Sequence, residues 1–194
     1  YKEYLYNAAI YKKSNGKATD ALRLFNNIVL DGYKETAEYR NQLMYWYVTA
    51  HKNRNDSTTY DYLKKLKATG YKDAADIFKD LYKWKATFEC FNTDEDDYDT
   101  IAKSLNKTCS YVHYSIKVTG GEPSVHVTLY NKTLWPDGNV NTSDWYWEDV
   151  YDGGRQGCAW SSGWNSYSVG DLTVKIYIKG TNECIGSYTM KITY

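Results

Sequence analysis

Aromatic side chains are the residues of this sequence that can do the most specific chemistry, and they cluster between positions 135 and 167. Flat rings bordered by hydrogen-bonding groups suit sugar rings or a protein partner. We expect at least half of the tryptophans to seal loops over a small β-domain instead. Strand alternation predicts Trp145 and Trp147 on one face and Tyr146 on the other. The predicted binding residues are Trp135, Trp145, Tyr146, Trp147, Trp160 and Trp164.

Residues that could perform catalysis are few. The chain has three histidines and contains no nucleophile elbow, phosphate-binding loop or dinucleotide fingerprint. Four carboxylates surround the aromatic residues, as in a glycosidase cleft, at Asp144, Glu148, Asp149 and Asp152. A glycosidase needs two of them at a defined separation, which a sequence does not show. The sequence therefore predicts a non-enzymatic protein without a cofactor.

A metal site is a weaker hypothesis. Cys109 and His113 are four residues apart, and His113 and His126 both have outward parity, so neighbouring strands can bring them together. No Cys-x-x-Cys pair is present, and we favour surface positions without a metal. The acidic run that begins at Asp94 lacks the spacing of a calcium-binding loop and predicts a solvated turn.

The four cysteines bear on the cellular compartment. Cys90 and Cys184 have inward parity, Cys109 has outward parity and Cys158 falls in a predicted loop. An even number within one β-domain fits disulfides in an oxidising compartment. Free cysteines also pack well as small hydrophobic residues, so both states stay open.

Charge and composition divide the chain near residue 84. The 24 Lys+Arg equal the 24 Asp+Glu, which argues against nucleic-acid binding driven by overall basicity. This zero hides a net charge of +6 in residues 1–85 and −6 in residues 86–194, and all four Cys and both Pro lie in the second part. We predict one domain at 1–83 and another at 84–194, joined without a flexible linker.

The first domain has the periodicity of helices. Tyr4, Ala8 and Tyr11 recur at helical spacing. Asp56 or the following serine is predicted to cap a later helix, which ends at Gly70.

A short segment repeats within these helices. Residues 32–37, GYKETA, return as GYKDAA at 70–75, an offset of 38 residues. A period of this size on paired helices predicts an αα-repeat array. The pattern over roughly residues 4–82 resembles the tetratricopeptide-like and Sel1-like helical repeats of Gram-positive bacterial proteins. The resemblance implies a helical array whose concave groove holds peptides.

The second domain has the alternation of strands. Apolar residues alternate over 84–92, 112–118, 125–129, 145–150, 172–178 and 185–192, with turn residues between. This pattern predicts an antiparallel β-sandwich. The closing hairpin, 171–178 with 187–192, resembles that of immunoglobulin-like modules on bacterial surface proteins. The predicted fold class is thus α+β with two domains, an N-terminal αα-repeat array and an antiparallel immunoglobulin-like sandwich.

These patterns lead to three hypotheses for function. No apolar run can span a membrane and no signal peptide is evident; because the chain begins at Tyr1, we expect a piece of a longer or processed protein. The leading hypothesis is a non-enzymatic binding or spacer ectodomain of a bacterial cell-surface or secreted protein, with a protein or glycan partner at the cell envelope. The alternatives are a carbohydrate-binding module that uses exposed Trp and Tyr, and an intracellular peptide-binding scaffold. The oligomeric state stays open.

Overall fold

A computed structural model describes residues 1–29, 32–94, 96–109, 111–161 and 168–194. The chain divides into two compact units, Tyr1–Tyr82 and Lys83–Tyr194. Helices form the first unit and strands form the second, so the α+β class is confirmed. Within the described residues, every helix is too short or too polar to cross a membrane.

The first unit is a set of short helices in which each packs against the next along the chain. Its core includes Phe25, Met44, Leu63 and Leu66, which are almost fully buried. The predicted cap is confirmed at Asp56, whose carboxylate accepts from the backbone N–H groups of the two threonines that follow Ser57, at 3.0 and 3.1 Å. The helices are α1 Lys2–Ser14, α2 Ala18–Asn26, α3 Thr36–His51, α4 Ser57–Ala68 and α5 Ala74–Tyr82.

The predicted tetratricopeptide-like or Sel1-like array is wrong. The five helices range from 9 to 16 residues, and no repeating helical array is evident among the described residues. What recurs is the turn: φ is 61° at Gly32 and 64° at Gly70, and 46° at Lys34 and 48° at Lys72. A left-handed turn depends on a few residues only, so its sequence can recur without any repetition of the way in which helices pack.

The described residues of the second unit form two sheets. One has the order β1-β3-β7, and the other has the order β2-β9-β8-β4-β5, with β6 also paired to β4. Apolar residues of both sheets, such as Ile116 and Ile176, belong to one core. The strands are β1 Lys85–Asn92, β2 Ser104–Asn106, β3 Tyr111–Thr119, β4 Val127–Leu134, β5 Val140–Thr142, β6 Trp147–Val150, β7 Arg155–Ser161, β8 Gly170–Ile178 and β9 Cys184–Thr193.

The predicted antiparallel pairing is found for the other strand pairs of the described residues, whereas β2 pairs with β9 in parallel. An immunoglobulin-like sandwich is not confirmed. Two of the strands that the sequence did not reveal, β2 and β5, have three residues each, too few to show alternation. The third is β7, which carries Cys158 on a strand where the sequence predicted a loop.

Candidate functional site

The aromatic residues predicted to bind a ligand occupy different environments. Trp135 and Trp147 belong to the core of the second unit, and each is only 8% exposed. Trp145 is 74% exposed and Tyr146 is 40% exposed. Trp160 lies on β7, but its side chain and the whole of Trp164 fall outside the described residues. The surface candidates that the structure describes are therefore Trp145 and Tyr146.

The prediction that Trp145 and Trp147 share one face is wrong. Strand β6 begins at Trp147, so Trp145 lies before the strand in a turn with Ser143. There the Trp145 N–H donates to Ser143 Oγ at 3.0 Å. Alternation of side chains applies only inside a strand, and the turn leaves Trp145 at the surface.

Tyr146 lines an open groove of about 280 Å³ on the larger sheet, which we name the Tyr146 groove. Strand β4 supplies two of its residues on one face, since they are two positions apart. Strand β5 supplies Thr142, the cross-strand partner of Lys132. The groove is lined by Tyr130, Lys132, Thr142, Tyr146, Lys179 and Asn182.

Tyrosine rings hold one another in place beneath this groove. Tyr130 and Tyr177 are cross-strand partners, and their rings stack with centroids 5.4 Å apart. Tyr130 is 7% exposed, and its hydroxyl donates to Asn182 Oδ1 at 2.9 Å. The Tyr146 ring meets Tyr130 edge-on at 6.3 Å. Buried contacts thus fix the groove's aromatic wall before any ligand binds.

Lysine side chains surround these rings. The ammonium of Lys179 lies 3.7 Å from the centroid of Tyr146, and that of Lys132 lies 5.1 Å from the centroid of Tyr177. Lys175 is the cross-strand partner of Lys132. Within the described residues, none of these three lysines takes part in an ion pair. The site combines aromatic rings with positive charges that have no ion-pair partner in the part of the chain that the structure describes.

A buried thiol and imidazole form a second candidate, on the outer side of the smaller sheet. His113 Nε2 lies 3.1 Å from Cys90 Sγ and 2.9 Å from Asp97 O. Because a carbonyl oxygen only accepts, Nε2 carries the proton and cannot take one from the thiol. Burial also raises the pKa of Cys90, and its side chain is fully buried. This pair lacks the features of a nucleophile and its base.

The histidines and cysteines do not assemble as the metal hypothesis required. His113 contacts Cys90 instead of Cys109, and His126 Nδ1 lies 2.5 Å from Asp149. No group of three potential metal ligands exists within the described residues. His113 points away from the core that its two neighbours on β3 join, as its parity predicted. It is nevertheless buried and not at the surface, because the loop that contains Asp97 covers it.

The four cysteines are free thiols in this structure. Cys90 is buried, but it lies beside His113 on the outer side of the smaller sheet, because the strand register shifts directly before Cys90. The inward direction predicted for Cys90 is therefore wrong, and so is that of Cys184, which is exposed. Cys109 and Cys158 pack partly against the core. The pKa of each of these two thiols is raised by burial, which disfavours the reactive thiolate.

Two other cavities were not predicted from the sequence. In the first unit, a groove of about 280 Å³ includes Trp46, which is 55% exposed, beside Leu22, Leu43 and Tyr62. In the second unit, a cavity of about 500 Å³ is crossed by the ion pair between Arg155 and Glu89, with Nε and Oε2 2.7 Å apart. The first has no charged group in its lining, and in the second the cation is already neutralised.

Comparison with known proteins places the chain in no family: no family model matches it, and no curated protein matches it either. By its fold and its candidate site, the chain is a two-unit α+β protein with an open groove lined by aromatic and cationic side chains. Its function must therefore be inferred from the residues of that groove.

Proposed function

We propose that this chain is a non-enzymatic binding module that holds a glycan in the Tyr146 groove. The observation that carries the proposal is the ring of Tyr146, 40% exposed in a groove that also contains two further hydroxyls, an amide and two ammonium groups. Sugars present C–H faces that pack on aromatic rings and hydroxyls that hydrogen-bond to polar groups. The groove offers both kinds of contact side by side.

The side chains of the groove are held in place by contacts within the protein, and this supports the proposal. Tyr130 is held from below by stacking on Tyr177 and by its bond to Asn182. A site that is ordered before binding loses less conformational entropy when its ligand arrives. Trp145 directly precedes Tyr146 and is 74% exposed, which adds a second aromatic ring at the surface beside Tyr146 in the sequence.

The chemistry of nearby carboxylates supports a role without catalysis. Among the described residues that line the groove there is no carboxylate, so the carboxylate pair that a glycosidase needs is not found there. Among the acids near the aromatic cluster, Asp149 contacts His126, and Asp152 accepts from the Gly120 N–H at 3.0 Å. These contacts give Asp149 and Asp152 local structural roles.

The proposed location is the outside of a bacterial cell, on its surface or secreted, where polysaccharides are presented to binding modules. The free cysteines lend no support to this location, because they supply no disulfide. A spacer role and binding to a protein partner stay predictions, since no described surface favours them over the groove.

A glycan array tests the proposal. The whole chain is applied as wild type, as Tyr146→Ala and as the control Tyr151→Ala, whose tyrosine is 56% exposed outside the groove lining. We expect Tyr146→Ala to weaken binding at least about tenfold and the control to bind normally, with equal melting temperatures. Absence of signal on every glycan would overturn the proposal. Turnover of any glycan would overturn its non-enzymatic part.

A further inference from the structure

We infer that the glycan bound by the Tyr146 groove is acidic, with anionic groups that pair with Lys132, Lys175 and Lys179. This inference rests on the proposed function and adds the chemical class of the ligand. Its starting point is a set of three lysines, Lys132 and Lys175 on neighbouring strands of the larger sheet and Lys179 in the turn directly after β8. None of the three has an ion-pair partner among the described residues.

Two of these lysines face each other across the sheet. Lys132 on β4 and Lys175 on β8 are direct cross-strand partners. Like charges directly opposite each other destabilise a sheet. An anion between the two ammonium groups would remove this repulsion, so the bare site favours a negatively charged ligand.

The third lysine is placed beside the ring that contacts the sugar. The Lys179 ammonium lies 3.7 Å from the centroid of Tyr146, and its backbone N–H is fixed by a 2.8 Å bond to Thr128 O. A sugar packed beside Tyr146 would bring the substituents of its own ring close to this ammonium. A carboxylate or sulfate there would form a charge-assisted hydrogen bond.

The hydrogen-bonding groups of the groove point to the same ligand. Asn182 Oδ1 already accepts from Tyr130, which leaves the amide N–H groups of Asn182 as donors. Together with two ammonium groups, the lining is rich in donors and poor in acceptors. The surrounding chain segment, residues 86–194, carries a net charge of −6, so general basicity of the domain does not explain the local positive charge.

The first arm of the test compares ligands that differ only in charge. The whole chain is titrated calorimetrically with oligogalacturonate and with its methyl ester, which has the same sugar rings without the carboxylates. Dextran sulfate and dextran form a second pair, which separates sulfate from carboxylate recognition. We expect an anionic member to bind at least about tenfold more tightly than its neutral partner, and binding to weaken as salt rises from about 50 to about 500 mM.

The second arm assigns the charge to the groove. We expect Lys132→Gln and Lys179→Gln each to weaken binding of the anionic probe about tenfold, and Lys179→Arg to retain it. The control is Lys107→Gln, because the Lys107 ammonium lies 4.0 Å from the centroid of Tyr194 in the same kind of contact outside the groove.

The outcomes separate this inference from the proposed function. If neutral and anionic members bind equally, or if the groove variants bind the anionic probe as wild type does, the acidic ligand is overturned while glycan binding stands. If neither pair binds and the glycan array is also empty, the proposed function is overturned as well. Equal melting temperatures of all variants show that lost binding does not reflect lost folding.

Discussion

Two regions of the molecule, the turn at Lys34 and the Tyr146 groove, both place a lysine ammonium against a tyrosine ring. They differ in what else that ammonium contacts. In the turn, the Lys34 ammonium lies 4.9 Å from the centroid of Tyr6 and is bonded to both carboxylate oxygens of Glu3 at 2.8 and 2.9 Å. In the groove, the Lys179 ammonium lies 3.7 Å from a tyrosine centroid and has no carboxylate partner in the described chain. The comparison teaches that the carboxylate, and not the contact with the ring, separates the structural cluster around Lys34 from the groove that we propose as a binding site.

Carboxylates complete the cluster around Lys34. The Tyr33 hydroxyl donates to Glu3, and the Tyr6 hydroxyl donates to Glu35 at 2.8 Å. The bonds from Lys34 and Tyr33 lower the pKa of Glu3 from 4.5 to about 2. Every charged group of this cluster therefore has its partner within the protein and needs none from a ligand.

The largest expected effect comes from giving the groove the carboxylate that it lacks. Thr142 is the cross-strand partner of Lys132, so Thr142→Glu places a carboxylate beside that ammonium. We expect binding of an acidic glycan to fall at least about tenfold, because the new side chain neutralises Lys132 and repels the ligand. Titration calorimetry measures the change.

The matched control for this substitution is Thr142→Gln, which has nearly the same size and no charge. It should weaken binding less than Thr142→Glu does. Equal losses for the two variants would mean that bulk alone blocks the groove, and the role assigned to the missing carboxylate would then be wrong.

The sequence predicted the structure of the helical unit and of the Tyr146 groove to different extents. Asp56 was predicted as a cap because a cap depends only on adjacent residues. The spacing of Tyr4 and Tyr11 indicated the helix α1 but not its buried face, since Leu5 and Ala9 are buried while Tyr4 and Tyr11 are exposed. Both sets have helical spacing, and only packing against the neighbouring helices decides between them.

The groove could not be predicted from local sequence, because its residues are far apart along the chain. Tyr146 was predicted as a binding residue, but its neighbours Lys132, Lys179 and Asn182 come from other elements. Strand pairing and the turn after β8 bring them together, and periodicity does not reveal pairing. The burial of His113 was missed for a related reason, because the loop that covers it comes from another part of the chain.

A smaller effect is expected from the glycines of the two related turns in the first unit. Gly32 and Gly70 have φ of 61° and 64°, with no atom close to the position of an added Cβ. Gly32→Ala and Gly70→Ala should therefore each lower the free energy of unfolding by about 1 kcal/mol, from backbone strain alone. Urea unfolding of the whole chain measures this.

The control for the glycines uses asparagine, which tolerates left-handed backbone better than alanine. Gly32→Asn and Gly70→Asn should be less destabilising than the alanine variants. If the free energy of unfolding falls by clearly different amounts at the two positions, backbone strain is not the same in the two turns.

Acid should weaken the Lys34 cluster through Glu3. The pKa of this carboxyl is about 2 in the folded protein and ordinarily 4.5, so its stabilising effect is present above about pH 4.5 and is lost as the pH falls towards 2. We expect Glu3→Gln to lower the melting temperature at neutral pH and to reduce its fall between these pH values. Asp61→Asn removes an exposed carboxylate of α4 as the control. A pH profile of Glu3→Gln that matches wild type would contradict the assignment.

The smallest expected effect compares the two lysines that follow the turn glycines. The Lys72 ammonium lies 4.3 Å from the centroid of Tyr45 but, unlike Lys34, it has no carboxylate partner among the described residues. Lys34→Met should therefore lower the melting temperature more than Lys72→Met, and added salt should reduce the difference, because salt screens the ion pair more than the ring contact. If Lys72→Met were the more damaging, the ring contact would be the stronger interaction. The presence of a carboxylate could then no longer explain the difference between the structural cluster around Lys34 and the Tyr146 groove.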